Sequence, residues 1–338
     1  MKAVLCKQYG PPESLVVEEV ASPLPGPGQV VVEVHASAAN FPDTLAIQGR
    51  FLSQFQRSLP FSPGGEAAGT IKQLGDGVEG LAIGDRVVVN SGGGGFAEEV
   101  VADAANLIPL PDGVPMVVGA SLVIAYGTTI HALRDRARLR SGETLLVLGA
   151  AGGCGLAAVE LGKLMGARVI AAASSADKLA LCMQHGADET INYAEEDLRE
   201  RVRALTAGSG VDVVYDTVGG TYTEPALRAL AWDGRLLVIG FTAGDIPRPP
   251  LNLVLLKSSA IVGVYYNHWS QREPDQYRAD LHELLKWIDE GRVRPKITAY
   301  PLEEAARALR SLADRRSVGK VVVTTALGRR ETEWGSST

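Results

Sequence analysis

Residues 144–178, TLLVLGAAGGCGLAAVELGKLMGARVIAAASSADK, set an apolar strand, a glycine-dense turn, an apolar-striped helix and a second apolar strand in that order. A strand, a tight glycine turn and a helix aim free backbone amides and the positive end of the helix dipole at one spot. That arrangement holds a pyrophosphate. In the G-x-G-x-x-G frame the run reads Ala150-Ala151-Gly152-Gly153-Cys154-Gly155, with alanine where the first glycine belongs. Such a run is weak by itself. The strand at 145–148, the helix continuing through Leu161 and the strand at 168–173 supply the context that makes it a dinucleotide site. The plainer alternative is a glycine turn that packs a helix on a sheet.

The end of the second strand decides which dinucleotide. An NAD site places Asp or Glu there for the ribose 2′-hydroxyl, and that carboxylate repels a 2′-phosphate. Here the strand runs into Ser174-Ser175-Ala176-Asp177-Lys178. Two hydroxyls and a cation suit a phosphate, while Asp177, inside the next helix, favours its dipole. NADPH is therefore the expected cofactor. Ser174 or Ser175 alternatively only caps the helix that begins near Ala176, and both roles can hold together.

Composition excludes several classes. With 338 residues the chain is long enough for about two domains and an ample core. A net charge of −6, with basic residues dispersed among acids, argues against a nucleic-acid partner. No apolar run reaches the roughly 18 residues of a membrane span, and MKAVLCKQYGPPESL lacks the apolar core of a signal peptide, so a cytoplasmic protein is expected. Only Cys6, Cys154 and Cys182 are present, with no C-x-x-C spacing, and the five histidines show no metal-site spacing. A four-cysteine zinc site is impossible, and no metal is expected.

Strand and turn signals dominate before residue 124, at 3–5, 15–20, 29–38 and 86–90. From about residue 125 strands alternate with helices, at 145–148, 168–173, 189–193, 212–216, 235–240 and 261–266. That period predicts a parallel sheet covered on both faces, hence an α/β chain. A strand at 296–300, a helix at 302–314 and a strand at 320–324 follow, before a polar tail at 328–338.

Six segments carry a resemblance along nearly the whole chain: Ala39-Asn40-Phe41-Pro42-Asp43-Thr44, Pro63-Gly64-Gly65-Glu66-Ala67-Ala68-Gly69, Gly84-Asp85-Arg86-Val87, Ala150 to Gly155, Val214-Tyr215-Asp216-Thr217-Val218-Gly219 and Val318-Gly319-Lys320-Val321-Val322. In that order they resemble the zinc-free quinone oxidoreductase, or zeta-crystallin-like, branch of the medium-chain dehydrogenase/reductase superfamily. The resemblance implies a GroES-like β-rich catalytic domain, residues 1–124 with 296–338, and a Rossmann cofactor domain, residues 125–295, with the active site in the cleft. Where zinc-dependent relatives place a catalytic Cys this chain has Asn40, and where they place His before Glu it has Gly65 before Glu66. Without a Lewis acid, alcohol oxidation is disfavoured. Hydride transfer from NADPH to a quinone or another conjugated carbonyl fits better, since the cofactor supplies the chemistry and the protein supplies alignment and hydrogen bonds.

The same resemblance assigns site residues. Asn40 is expected to orient the nicotinamide or donate to the substrate oxygen, although an Asx turn after the strand is the alternative. Asp43 is expected to orient its neighbours. Thr128 lies near the nicotinamide, or else is a helix-start hydroxyl. Tyr265 and Tyr266 end a strand that points toward the cleft, where either hydroxyl donates a proton, or else they pack a core or a dimer contact. Gly152, Gly153 and Cys154 approach the pyrophosphate, which makes Cys154 a small residue and not a nucleophile. Ser174, Ser175 and Lys178 meet the 2′-phosphate with Tyr193 beside it. Val218, Gly240 and Phe241 follow later strand ends, and Lys320 contacts the nicotinamide side. Leu45 stands where the best-known quinone reductases have a tyrosine, and Phe51, Phe55 and Phe61 either wall an acceptor pocket or pack the β-rich domain. Quinones, 2-alkenals and enoyl thioesters such as acryloyl-CoA all stay open as acceptors, as does an NADPH-binding protein with little turnover. The strand at 260–265 is apolar and lies at the expected edge of the sheet, and the resemblance implies that it pairs with its twofold mate in a homodimer.

Overall fold

The computed structural model describes residues 1–50 and 57–331, so Phe51 and Phe55 lie outside the described residues. It divides into two compact units, Met1–Ile124 with Leu281–Gly291 and Pro295–Thr338, and Ala125–Asp280 with Arg292–Arg294. Residues 281–291, expected within the cofactor domain, group with the first unit.

The first unit is built on a seven-stranded sheet. Its order is Ile297–Pro301, Lys320–Thr324, Gln29–Ala39, Glu66–Leu74, Arg86–Asn90 and Leu107–Pro109, with Glu99–Asp103 also paired to Gln29–Ala39. The long strand QVVVEVHASAA is buried along most of its length because neighbouring strands and helices cover both faces. One face packs Val30, Val32, Val34, Ile71, Val87 and Val89. Another cluster gathers Val4, Ile47, Phe96, Leu309, Val321 and Val323 around helix Ala305–Ala313. Register then dictates the site: Ala39 pairs with Val321 and Ala38 with Glu66, which places Asn40, Glu66 and Lys320 together at one sheet end.

The second unit is a six-stranded parallel sheet in the order Glu189–Asn192, Arg168–Ala173, Thr144–Leu148, Val211–Asp216, Leu230–Val238 and Ala260–Gly263. Its central strands are apolar on both faces, as a parallel sheet between helical layers requires. This is the expected α/β combination of a GroES-like unit and a Rossmann unit.

Three elements depart from the expected pattern. Asn40 opens helix Phe41–Ile47 in place of an isolated turn, because Pro42 is tolerated in a first turn and Asp43 bonds back to the Asn40 amide. Glu66–Leu74 is a strand, its small residues allowing close pairing with Gln29–Ala39. The edge strand stops at Gly263 because Tyr266 turns inward to start helix Tyr266–Arg272. Among the described residues no helix is long and apolar enough to cross a membrane.

Candidate active site

The nucleotide turn begins where strand Thr144–Leu148 ends. Gly149 adopts φ +67°, and a Cβ there would lie 2.6 Å from Thr217 Oγ1. The tight-turn glycine is thus Gly149, one residue ahead of the frame that put Ala150 in that role; Ala150 is buried beneath the turn. Helix Gly153–Leu164 is preceded by Gly152 in extended conformation, and its first ladder bond runs from the Leu156 amide to the Gly152 carbonyl at 2.7 Å. The Gly153 amide stands ahead of that ladder, as an anion site needs. A Cβ on Gly155 would lie 2.1 Å from the Gly149 carbonyl oxygen, so helix and turn touch through bare backbone. Cys154 is partly exposed at the second helical position.

Neighbouring strand ends converge on this turn. Thr217 Oγ1 donates to the Leu148 carbonyl at 2.9 Å. The buried Asp216 carboxylate accepts from the Val218 and Gly219 amides at 2.9 Å each and from Thr223 Oγ1 at 2.6 Å, which shapes the loop carrying Val218. Gly219, at φ +70°, would bring a Cβ to 2.8 Å from the Phe241 ring, and the Ala243 amide donates to the Val218 carbonyl at 2.8 Å. Val218, Gly240 and Phe241 therefore lie together at the carboxyl ends of parallel strands, where ligands of open α/β sheets bind.

Strand Arg168–Ala173 delivers the exposed Ser174 and then Ser175, the residue before helix Ala176–Gln184. Ser175 occupies the cap position, yet its side chain makes no capping bond. Lys178 Nζ reaches Ser174 Oγ at 3.5 Å, and the Tyr193 amide donates to the Ala173 carbonyl at 3.1 Å, bringing that tyrosine to the same strand end. Its ring lies 4.5 Å from that of Tyr222, tilted by 49°.

Thr128 is buried late in helix Leu122–Ile130 and not at a helix start, because the apolar run before it extends the helix upstream. Tyr265 is 52% exposed and stacks on His268. Tyr266 packs against Gly127, where a Cβ would lie 2.1 Å from its hydroxyl. The glycine within Ala125-Tyr126-Gly127-Thr128 was the available signal for that close approach.

The first unit contributes a buried polar triad. Glu66 Oε1 accepts from Asn40 Nδ2 at 3.0 Å and from Lys320 Nζ at 2.8 Å; Lys320 Nζ also donates to Asn40 Oδ1 at 2.7 Å. Glu66 Oε2 accepts the Ile124 amide at 2.8 Å. The side chains of Glu66 and Lys320 are 0% and 4% exposed. Asp43 accepts from the Asn40 amide at 2.8 Å and the Gly64 amide at 3.1 Å. Burial raises its carboxyl above the usual carboxylate range, outweighing those two amides and the nearby charges of Arg57 and Lys320. Glu66 received no role from sequence alone, though a lone charge opening the small-residue run Glu66-Ala67-Ala68-Gly69 was a visible anomaly.

The donor set does not fit zinc. Both functional ends of the Asn40 amide bond within the triad, Gly65 has no side chain, and among the described residues no group of three His, Cys, Asp or Glu could hold a metal ion. It does fit a dinucleotide, whose phosphates need the bare-backbone turn and the uncapped hydroxyl.

Such a pair of units is that of a medium-chain dehydrogenase, and comparison with known proteins narrows the class. Residues 26–112 match the family described as alcohol dehydrogenase GroES-like domain, and residues 153–290 the family described as zinc-binding dehydrogenase. Quinone oxidoreductase-like protein 2 of Bos taurus is 40% identical over 325 residues, 96% of this chain and 92% of that protein. The quinone oxidoreductase of Thermus thermophilus, whose structures include a complex with NADPH, shares 36% identity with a TM-score of 0.82, covering 96% of this chain and 100% of the other. That of Escherichia coli, solved with NADPH, gives 29% identity and a TM-score of 0.89 over 96% of this chain and 100% of the other. The chain belongs to the zinc-independent quinone oxidoreductase branch of the medium-chain dehydrogenase/reductase superfamily.

Proposed function

We propose that the protein reduces a quinone or another conjugated carbonyl with NADPH and without a metal ion. The observation that carries this reading is the end of strand Arg168–Ala173: Ser174, Ser175 and Lys178 stand where an NAD site needs a carboxylate, and the Ser175 hydroxyl is not used as a cap. When bound, NADPH supplies the hydride and its electron pair. Gly152, Gly153 and Cys154 hold the pyrophosphate, Ser174, Ser175 and Lys178 the 2′-phosphate, and Tyr193 packs beside it. Val218, Gly240 and Phe241 line the path of the cofactor along the strand ends, and Thr128 abuts the nicotinamide. Asp43 and Asn40 position the first unit's polar groups. Relatives named as quinone oxidoreductases favour a quinone acceptor. Leu45 offers an apolar wall where a hydroxyl would suit a quinone, which keeps 2-alkenals and enoyl thioesters as the second reading. Two copies associate through the edge of strand Ala260–Gly263 that no strand among the described residues pairs.

Titration of stripped protein with each dinucleotide tests the cofactor reading. NADPH is expected to bind at least about tenfold tighter than NADH, and Ser175→Ala with Lys178→Ala to erase that preference. Turnover with 1,4-benzoquinone and trans-2-hexenal is expected to survive chelators. Preference for NADH, or turnover lost to chelator and restored by zinc, would end the reading.

A further inference from the structure

At Gly263, where strand Ala260–Gly263 ends, the second unit frames a cavity of about 240 Å³ whose lining residues all lie within Ala125–Asp280. No residue of the nucleotide turn lines it. The buried side chain in its lining is His131, 3% exposed, at the point where helix Leu122–Ile130 widens into the π-helical turn His131–Arg136. Such turns are rare and recur at functional sites. His131 Nδ1 bonds Asp135 Oδ2 at 2.9 Å. Burial works to raise the Asp135 carboxyl, but the bonds from His131 and Arg134 outweigh it, and the net shift is downward. An ionised carboxylate only accepts, so in the neutral imidazole Nδ1 carries the proton and Nε2 is left as an acceptor. Among the described residues Nε2 has no bond, and it is not one of the polar atoms sealed from solvent. A buried side chain thus lends the cavity one unused acceptor.

Two flat rings and two cations share the lining with it. Trp269 stacks on His131 with ring centroids 4.0 Å apart and 20° between planes, and Tyr265 stacks on His268 at 5.7 Å and 14°. Arg136 Nε donates to the Gly263 carbonyl at 3.1 Å, which ties down the root of that guanidinium, while its terminal nitrogens bond nothing among the described residues. Arg272, which closes helix Tyr266–Arg272, has no side-chain bond or ion pair among them. Glu273 is the one acid in the lining and pairs with neither arginine, so one positive charge stays unmatched.

We propose that this cavity binds a single-ring phenolic monocarboxylate: its carboxylate lies on the Arg136 and Arg272 guanidiniums, its ring against Trp269 and Tyr265, and its hydroxyl donates to His131 Nε2. Each part of the ligand answers one part of the lining. The planar fork of a guanidinium matches a carboxylate, and two of them without an acid partner call for one. One unmatched positive charge selects a monoanion, because Glu273 repels the second charge of a phosphate dianion. The volume falls below the roughly 300 Å³ at which drug-sized sites begin, which limits the ligand's body to one ring. Aromatic walls favour a flat ring over an aliphatic chain. The site makes and breaks no covalent bond, and it is independent of the NADPH reading.

Isothermal titration calorimetry of the intact protein with 4-hydroxybenzoate, benzoate and inorganic phosphate tests the site, alongside Arg272→Ala and His131→Phe. Arg272 is exposed and bonds nothing among the described residues, so its alanine variant keeps the fold. His131→Phe keeps a ring on Trp269 and loses the acceptor. Wild type is expected to bind one 4-hydroxybenzoate per chain with a Kd below about 1 mM, and benzoate about tenfold more weakly for want of the hydroxyl. Arg272→Ala is expected to weaken 4-hydroxybenzoate about tenfold, and His131→Phe to bind the two acids alike. The assignment is overturned if 4-hydroxybenzoate gives no binding up to about 10 mM, if wild type binds benzoate equally well, or if phosphate binds more tightly than either. Arg272→Ala at wild-type affinity, or a phenylalanine variant that still prefers 4-hydroxybenzoate, overturns it as well. Should His131→Phe fail to fold, the two acids compared on wild type decide the role of the acceptor.

Discussion

A methyl group at residue 155 would meet three backbone atoms, the Gly149 carbonyl oxygen at 2.1 Å, Ala150 Cα at 2.7 Å and the Gly149 carbonyl carbon at 2.8 Å, and none can swing aside. Gly155→Ala must therefore push helix Gly153–Leu164 off the turn. It is expected to cost about 2 kcal/mol of stability, and to weaken NADPH binding at least about tenfold, because the helix amides move with the helix. Gly65 is the contrast: a Cβ there finds its nearest neighbour, Ile124 Cδ1, at 3.7 Å, an ordinary contact. Urea denaturation is expected to leave Gly65→Ala within about 0.5 kcal/mol of wild type, and equal midpoint shifts for the two variants would refute the packing argument. At this scale the sequence was legible where chemistry is local. The crowded glycines and the missing acid after Ala173 could be read directly. The role of Gly149 could not, because a motif frame matches letters whereas the turn demands a positive φ at a particular residue. Nor could the partner of Glu66, since Lys320 stands 254 residues away and only sheet register unites them.

Between elements, Arg235 is a clamp whose pH dependence follows from its geometry. Its guanidinium forks onto Glu143 with two contacts of 2.8 Å and also donates to the Ala137 carbonyl, tying strand Leu230–Val238 to the entry of strand Thr144–Leu148. Burial works to raise the Glu143 carboxyl, but the Arg235 fork and the Arg140 amide outweigh it, and the net shift is downward. A carboxyl with a folded pKa below its unfolded one stabilises fully above the ordinary range and loses that contribution as pH falls through the lowered value. Glu143→Gln is thus expected to be less stable than wild type at pH 7, with the difference shrinking below about pH 4. A gap that widens under acid would contradict this sign. Elements themselves were read well wherever periodicity is long, as at Arg86–Asn90, Arg168–Ala173 and Lys320–Thr324. Helix Phe41–Ile47 escaped because a short helix opened by Phe and Pro depends on Asp43 reaching back to the Asn40 amide, a contact and not a pattern. The run Val264-Tyr265-Tyr266 has strand propensity, yet Tyr266 is drawn inward beside the stacked His131 and Trp269. Tertiary packing overrode local preference there.

For the molecule as a whole, the outstanding question is what covers the edge of the parallel sheet. Strand Ala260–Gly263 pairs with Leu230–Val238 on one side, and no strand among the described residues pairs with its other side. Ile261 on it is 37% exposed, and the helix just before it, Asn252–Leu256, leaves Leu255 79% exposed with Leu256 open beside it. An unpaired apolar edge is a liability for a monomer, and twofold pairing of that edge with its own copy removes the liability at both strands at once. Four residues add little to one sheet; in the proposed dimer they would become the centre of a continuous one. Light scattering at micromolar concentration is expected to give twice the chain mass. Ile261→Lys, which places a charge on the edge, is expected to shift the protein to monomer while circular dichroism and NADPH affinity stay near wild type, because the nucleotide turn lies at the other strands' ends. Wild-type protein that scatters as a monomer would leave the edge without its proposed partner, and a lysine variant that stays dimeric would move the interface elsewhere.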